Sequence, residues 1–239
     1  MSLEVYRIDN SLFGKWFRRI RKSDLPTHRI IGGAAMVGSL NCIRVMGDFF
    51  IGNNYYLLDK KHELNRFINP LGNSWIEKTQ YYIRHPKAVK DRELIESQYF
   101  QEYILREQIS DIVSFLRANI QIKELYIKSL NQTSFNFGVN VPIEQMTVEG
   151  NVNIDKFTEY ELKITSKSKL KISEKRTNYT WINDFSTLKT AIDNFDGGKF
   201  EERLIIDNSF GFSLKEANRI GMNTNLMGRK EFIINFEAE

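Results

Sequence analysis

Cysteine, proline and histidine are scarce in this chain of 239 residues, and each shortage excludes a class of protein. The single cysteine, Cys42, excludes an internal disulfide framework and a zinc site built from several cysteines. The three histidines lie far apart and lack the short spacing that pre-positions metal ligands. Only four prolines, with 41% hydrophobic residues, argue against a disordered chain. We therefore expect a folded protein without disulfides, a bound zinc ion or another cofactor.

Long apolar runs and the common nucleotide-binding loops are also missing. The most apolar stretch, residues 30–38, is too short to span a bilayer. The first residues lack the basic-then-apolar order of a secretory signal, so a cytoplasmic location is expected. There is no Gly-x-x-x-x-Gly-Lys-Ser/Thr, no Gly-x-Gly-x-x-Gly and no Gly-x-Ser-x-Gly, which removes the standard loops for phosphates and for a serine nucleophile.

The charges that are present favour cations only slightly. Thirty-four Lys and Arg against thirty Asp and Glu give a formal net charge of +4. A balance of this size permits contact with nucleic acid or with an anionic membrane surface but requires neither. The position of the cations along the chain therefore matters more than their number.

Residues 12–22, LFGKWFRRIRK, form the first basic feature, and their spacing predicts an amphipathic helix. Three interpretations stay open: a terminal helix packed on the body, insertion at an anionic membrane interface, and contact with a nucleic-acid backbone. The apolar face consists of Leu12, Phe13, Trp16, Phe17 and Ile20. The cationic face consists of Lys15, Arg18, Arg19, Arg21 and Lys22.

The second basic feature is a row of lysines on predicted strands. Alternation places Leu162, Ile164, Leu170 and Ile172 on a buried face, so the cations between them share the solvent face. Such a row can meet phosphates, or it can pair with acidic residues such as Glu149, Asp155 and Glu161 on neighbouring strands. The cations of this row and of the residues that follow it are Lys163, Lys167, Lys169, Lys171, Lys175 and Arg176.

The apolar periodicity predicts an α+β fold, with a helical N-terminal half that contains one hairpin and then a largely antiparallel β-meander with two short helices. A three-to-four spacing predicts a long helix over about 87–118, and period-two alternation begins after it. Ser213 and Glu216 have the spacing of a capping box, and Gly221 suits the end of that helix. The expected domains are residues 1–118 and 119–239, or one continuous domain.

One pattern suggests catalysis. Glu161 and Lys163 form Glu-x-Lys on a predicted strand, with Asp155 six residues earlier. This resembles the Mg²⁺-binding pattern of restriction-type nucleases, although the spacing from Asp155 is short for that family. The resemblance implies at most a metal-dependent nuclease.

Three functional hypotheses follow from these features. The first is a non-catalytic protein that contacts a nucleic-acid backbone through the cationic helix and the lysine row. The second is a membrane-surface or pore-forming protein that uses residues 12–22 and the amphipathic strands. The third is the nuclease. A protein partner or homo-oligomer remains open under all three.

Overall fold

The structure is a computed structural model that describes residues 3–8, 55–58, 63–72, 74–75, 80–130, 152–157, 161–166 and 179–238, with only the backbone in strands 55–58, 152–157 and 161–166. The predicted cationic helix and the part of the lysine row beyond Ser166 lie outside these residues. The chain divides into two compact units, Met1–Phe100 with Phe210–Met222 and Gln101–Ser209 with Asn223–Glu239.

The described residues form nine strands and three α-helices. The strands of the first unit are β1 (Val5–Ile8), β2 (Tyr55–Leu58), β3 (Tyr81–Arg84) and β4 (Leu94–Glu96). Those of the second are β5 (Ile122–Ser129), β6 (Val152–Phe157), β7 (Glu161–Ser166), β8 (Lys199–Asp207) and β9 (Arg229–Ala238). The helices are α1 (Phe100–Asn119), α2 (Ser186–Asp193) and α3 (Leu214–Arg219).

The first unit contains a four-stranded sheet with the order β2-β1-β3-β4. Strands β1 and β2 are parallel, and the other neighbours are antiparallel. Aromatic rings fill its core: Trp75 meets Tyr82 edge-on at 5.0 Å between centroids, and Phe67 lies 5.4 Å from Tyr6. Tyr82 is fully buried, so this core is the apolar support of the sheet.

The second unit contains a five-stranded antiparallel sheet with the order β6-β7-β5-β9-β8. The last strand, β9, lies between β5 and β8 and pairs with β8 over all nine residues of β8. Strands β5 and β9 are therefore neighbours in the sheet although they are distant in the chain, and the sheet cannot be built from successive hairpins alone.

Two buried residues, Trp181 and Asn208, connect segments of the second unit through hydrogen bonds. The backbone N–H of Trp181 donates to Asp111 Oδ2 and its indole N–H donates to Glu107 Oε2, both at 2.7 Å. Glu107 and Asp111 are four residues apart on α1, which places them on one helical face. The fully buried Asn208 donates its side-chain amide to Leu226 O at 2.9 Å, and its backbone N–H to Gly228 O at 2.9 Å.

The predicted arrangement of the fold is wrong, although helices and mainly antiparallel sheets do occur together, as in the α+β class. The described N-terminal half forms strands β1 to β4 rather than a helical half, and β2 pairs in parallel with β1. The predicted helix over 87–118 begins only at Phe100, because Leu94–Glu96 pairs with β3 and is buried. The second half is not a meander, because β9 returns between β5 and β8.

The capping box at the start of α3 is confirmed. The Ser213 hydroxyl accepts from the Glu216 backbone N–H at 3.2 Å, and Glu216 Oε2 accepts from the Ser213 backbone N–H at 2.9 Å. The Ser213 hydroxyl also donates to Glu216 Oε2 at 2.7 Å. This bond, together with the one from the Ser213 backbone N–H, lowers the pKa of Glu216 below its usual range, because both stabilise the ionised carboxylate. Gly221 follows the helix with φ +73°, a conformation that glycine adopts without strain.

We expect Ser213→Ala to lower the free energy of unfolding by about 1 kcal/mol at neutral pH, because α3 loses its side-chain cap. The difference in the free energy of unfolding between the variant and the wild type should shrink as the pH falls through the lowered pKa of Glu216. Protonation of Glu216 removes the carboxylate from the capping box of the wild type as well. Urea denaturation over a pH series measures both effects. Ser186→Ala is the control, because Ser186 begins α2 without a capping bond and should change stability by less than about 0.5 kcal/mol.

Candidate functional site

On β5, β9 and β8 of the five-stranded sheet, one face is more exposed than the other, and this face is the candidate site. Side chains of a strand alternate between the two faces of a sheet. In β9 the even-numbered residues from Lys230 to Ala238 are buried, while the odd-numbered ones are half-buried or exposed. We call the exposed side the outer face. Its members on β5, β9 and β8 include Glu124, Tyr126, Lys128, Ile233, Asn235, Glu237, Lys199, Glu201 and Arg203.

The strand register arranges these residues in cross-strand rows. In the central row, Tyr126 of β5 lies opposite Asn235 of β9, which lies opposite Glu201 of β8. Residues directly opposite on one face lie close enough for their side chains to interact. The row on one side of it contains Glu124, Glu237 and Lys199, and the row on the other side contains Lys128, Ile233 and Arg203.

The central row continues through the backbone of β7 and β6. Lys163 is the register partner of Tyr126, and Lys156 is the register partner of Lys163. The row therefore runs Lys156, Lys163, Tyr126, Asn235 and Glu201, and we call it the lysine–tyrosine row. Two lysines at directly opposite positions are an unfavourable pair in a sheet unless an anion lies near them.

A shallow groove of about 270 Å³ lies at the β8 end of this row. Side chains of the outer face contribute three carboxylates, one ammonium group, a phenol and an amide to its lining, together with Phe200 and Phe236 of β8 and β9. With its amide nitrogen turned toward Glu201, Asn235 donates to Glu201 Oε2 at 3.0 Å and to Ile234 O at 3.3 Å. This bond orients Asn235 beside Tyr126.

The outer face is electrically uneven along the lysine–tyrosine row. The β6 and β7 end carries the two lysine positions, whereas the groove at the other end carries Glu124, Glu201 and Glu237 with only Lys199 to offset them. Tyr126 lies at the border between the two.

A stack of aromatic rings holds β8 to β9 behind the groove. Phe200 and Phe236 are register partners whose ring centroids lie 4.5 Å apart at an interplanar angle of 15°. Phe195 meets both rings edge-on, at 5.7 Å and 5.1 Å. Aromatic contacts of this kind, here around the buried Phe236, stabilise the pairing of the two strands and hence the position of Asn235 relative to Glu201.

Lys230 belongs to the other face and takes no part in the candidate site. It is 6% exposed, and its ammonium group donates to Asn225 O at 2.9 Å. Burial lowers the pKa of Lys230 because the charged form loses hydration. Its contacts mark it as a structural lysine.

Few of the residues that the sequence singled out lie in the described part of the chain. The cationic helix with Trp16 and Phe17, and the cations Lys167, Lys169, Lys171, Lys175 and Arg176, lie outside it. The strand predicted around Glu161 and Lys163 is confirmed as β7, and Asp155 falls at a register irregularity of β6 beside the position paired with Lys163. Glu161 is the register partner of Lys128, which does not belong to the predicted lysine row.

Sequence reasoning missed Tyr126, Asn235 and Glu201. Tyr126 carried a usable signal, because it alternates with the apolar Leu125 and Ile127 on a predicted strand. Asn235 and Glu201 carried none, since nothing in the local sequence tells which strands become neighbours.

No family model, curated protein or solved structure matches the chain. Within the part of the chain that the structure describes, no helix has the length and apolar character needed to cross a bilayer. The function therefore has to be argued from the site alone.

We expect Phe236→Ala to lower the free energy of unfolding by about 3–5 kcal/mol, because it removes a buried ring from the stack. The adjacent change Asn235→Ala should cost less than about 1 kcal/mol, since that side chain is on the outer face. Chemical denaturation of both variants measures the difference. Equal losses for the two neighbours would contradict the assignment of the faces.

Proposed function

We propose that the protein is a non-catalytic, cytoplasmic protein that binds single-stranded nucleic acid on the outer face of its five-stranded sheet. The observation that supports this most is the lysine–tyrosine row, in which two lysine positions, a half-exposed aromatic ring and an amide follow one another across four strands. Proteins that hold single strands without strong sequence preference combine a cationic track with aromatic stacking platforms.

The lysine positions account for phosphate binding. Lys156 and Lys163 are direct register partners, and a phosphate between them relieves their mutual repulsion. The chain continues beyond β7 with Lys167, Lys169 and Lys171, which extend the cationic character along the sequence. Each phosphate neutralised by a lysine releases condensed counterions, which makes such binding strongly dependent on salt.

The aromatic residue accounts for contact with a base. Tyr126 is half-buried, so its ring is fixed by its surroundings and still reaches solvent. A base that stacks on a tyrosine gains about 1–3 kcal/mol whatever its identity. The neighbouring Asn235 amide offers its carbonyl oxygen as an acceptor to the edge of that base, since its two N–H groups are bonded to Ile234 O and Glu201 Oε2.

The carboxylates of the groove limit the area of the outer face that the nucleic acid covers. Glu124, Glu201 and Glu237 repel phosphates, so the nucleic-acid backbone is expected to stay on the β6 and β7 side of Tyr126. This directs the ligand along one half of the outer face and leaves the groove outside the phosphate path.

We expect the protein to bind fluorescent oligo(dT) or oligo(U) with an affinity that falls steeply as salt increases. Changing Lys156 and Lys163 to Gln should weaken binding at least tenfold at low salt and reduce the slope of log K against log salt by about 0.7 for each lysine. Fluorescence anisotropy over a salt series measures both quantities. Lys189→Gln, an exposed lysine of α2, is the control and should change neither.

Wild-type binding without salt dependence would contradict the proposal. Anionic liposomes loaded with dye are tested in parallel, because dye release without oligonucleotide binding would support the membrane-surface hypothesis instead. A metal-dependent cut of the oligonucleotide that Glu161→Ala abolishes would support the nuclease.

We expect Tyr126→Ala to weaken oligonucleotide binding roughly 5- to 150-fold, the equivalent of about 1–3 kcal/mol of stacking. The salt slope should stay as in the wild type, because no charge is removed. Tyr126→Phe retains the ring and should bind almost as the wild type does. Unchanged affinity of Tyr126→Ala would place the binding site elsewhere on the protein.

A further inference from the structure

Among the strands that the structure describes, β8 is an edge strand of the five-stranded sheet, with β9 as its neighbour. It is nine residues long and pairs with β9 without a register shift. Proline on an edge strand prevents pairing with a further strand, and β8 contains no proline.

The hydrogen bonds at both ends of the β8–β9 ladder show which backbone groups point away from β9. The backbone N–H of Asn208 donates to Gly228 O, and the backbone N–H of Ala238 donates to Gly198 O, both at 2.9 Å. In an antiparallel pair, hydrogen-bonded positions alternate with positions whose N–H and C=O point the other way. The even-numbered residues of β8 are therefore bonded to β9, and its odd-numbered residues direct their N–H and C=O groups to the open edge.

These outward positions are accessible. All five odd-numbered residues of β8 are exposed, and the side chain of Ile205 is exposed to 43% although it is apolar. Arg203 forms an exposed ion pair with Glu231 on the outer face, and Asp207 Oδ1 accepts from the Ser209 backbone N–H at 2.9 Å. Neither contact uses the backbone groups at the edge of β8.

The sequence of residues 203–207, Arg-Leu-Ile-Ile-Asp, is complementary to itself in an antiparallel pair. If two copies meet with Ile205 opposite Ile205, each Arg203 lies opposite Asp207 of the second copy. On the other face, Leu204 then lies opposite Ile206 of the second copy. Every position from 203 to 207 has a favourable partner, and like charges do not meet.

Four neighbouring registers bring like charges together. Pairs centred on residue 201, 202 or 203 place Glu201, Glu202 or Arg203, respectively, opposite the same residue of the second copy. A pair centred on residue 204 places Glu201 opposite Asp207. Like charges directly opposite destabilise a sheet, so the register centred on Ile205 is favoured over these four.

We propose that the protein forms a two-fold symmetric dimer in which β8 pairs antiparallel with β8 of a second copy, centred on Ile205. Three residue pairs, Ile205 with Ile205 and the two pairs of Arg203 with Asp207, each exchange two backbone hydrogen bonds. The two sheets join into one continuous sheet. The partner is thus a second copy of this chain, and the proposal does not depend on the nucleic-acid function.

The contact is short, so the dimer should be weak and concentration-dependent. An edge of about five residues buries less surface than a standard stable interface. Sedimentation velocity of the full chain, without nucleic acid and from micromolar to millimolar concentration, should show monomers converting to dimers. A wild type that stays monomeric throughout, or one that forms open-ended assemblies, overturns the proposal, because a two-fold contact closes at two copies.

Variants of the exposed residues then test the register. Ile205→Lys places two ammonium groups on the two-fold axis and should weaken dimerisation at least tenfold. Arg203→Asp and Asp207→Arg should each weaken it, whereas the double variant Arg203→Asp/Asp207→Arg restores both opposite-charge pairs and should regain the dimer. A dimer that Ile205→Lys leaves intact, or a double variant no better than the singles, overturns the proposal.

Two controls separate these effects from folding and from the ion pair within one copy. Glu231→Gln removes the partner of Arg203 on β9 without changing the edge, and it should dimerise as the wild type does. Lys189→Asp changes charge on α2 by the same amount as Arg203→Asp, and it should also leave dimerisation unchanged. Far-UV circular dichroism confirms that each variant is folded before it is compared.

Discussion

The pairing of β9 between β5 and β8 is the constraint on which the second unit depends. Its pairing with β5 joins residues that are more than a hundred positions apart in the chain, and the register with β5 and β8 decides which side chains become neighbours on each face. Because side chains alternate along a strand, one register puts Phe232, Ile234 and Phe236 in the core and Ile233, Asn235 and Glu237 outside. A shift of the register by one residue would exchange the two sets. It would be unfavourable, because the apolar side chains would leave the core.

The same register gives the outer face its uneven charge. β5 and β9 bring Glu124 and Glu237 together, and β8 adds Glu201 one row away, while the backbone of β6 and β7 brings Lys156 beside Lys163. No single segment is strongly acidic or basic enough to predict this gradient. A chain with a net charge of only +4 can therefore present a local cationic surface, since electrostatic recognition depends on local arrangement.

The edge of the sheet and its outer face have different chemistry, which separates the two proposals. The outer face offers side chains, and its central row combines cations with an aromatic ring. The edge offers backbone N–H and C=O groups, together with the self-complementary segment 203–207. Strand addition uses the backbone for affinity and the alternate side chains for register, so β8 can be occupied while the lysine–tyrosine row stays open.

Local sequence determined the features whose physical cause is local. Ser213 and Glu216 are three residues apart and close a capping box within one helical turn, and the alternation around Glu161 to Ile164 identified a strand. Tertiary structure decided the rest. Leu94–Glu96 has apolar spacing compatible with a helix, but it forms a strand because β3 provides hydrogen-bond partners. Lys163, Tyr126, Asn235 and Glu201 form one row only because three strand pairings bring them together, and the energy of such pairing depends on contacts between segments that the local sequence does not encode.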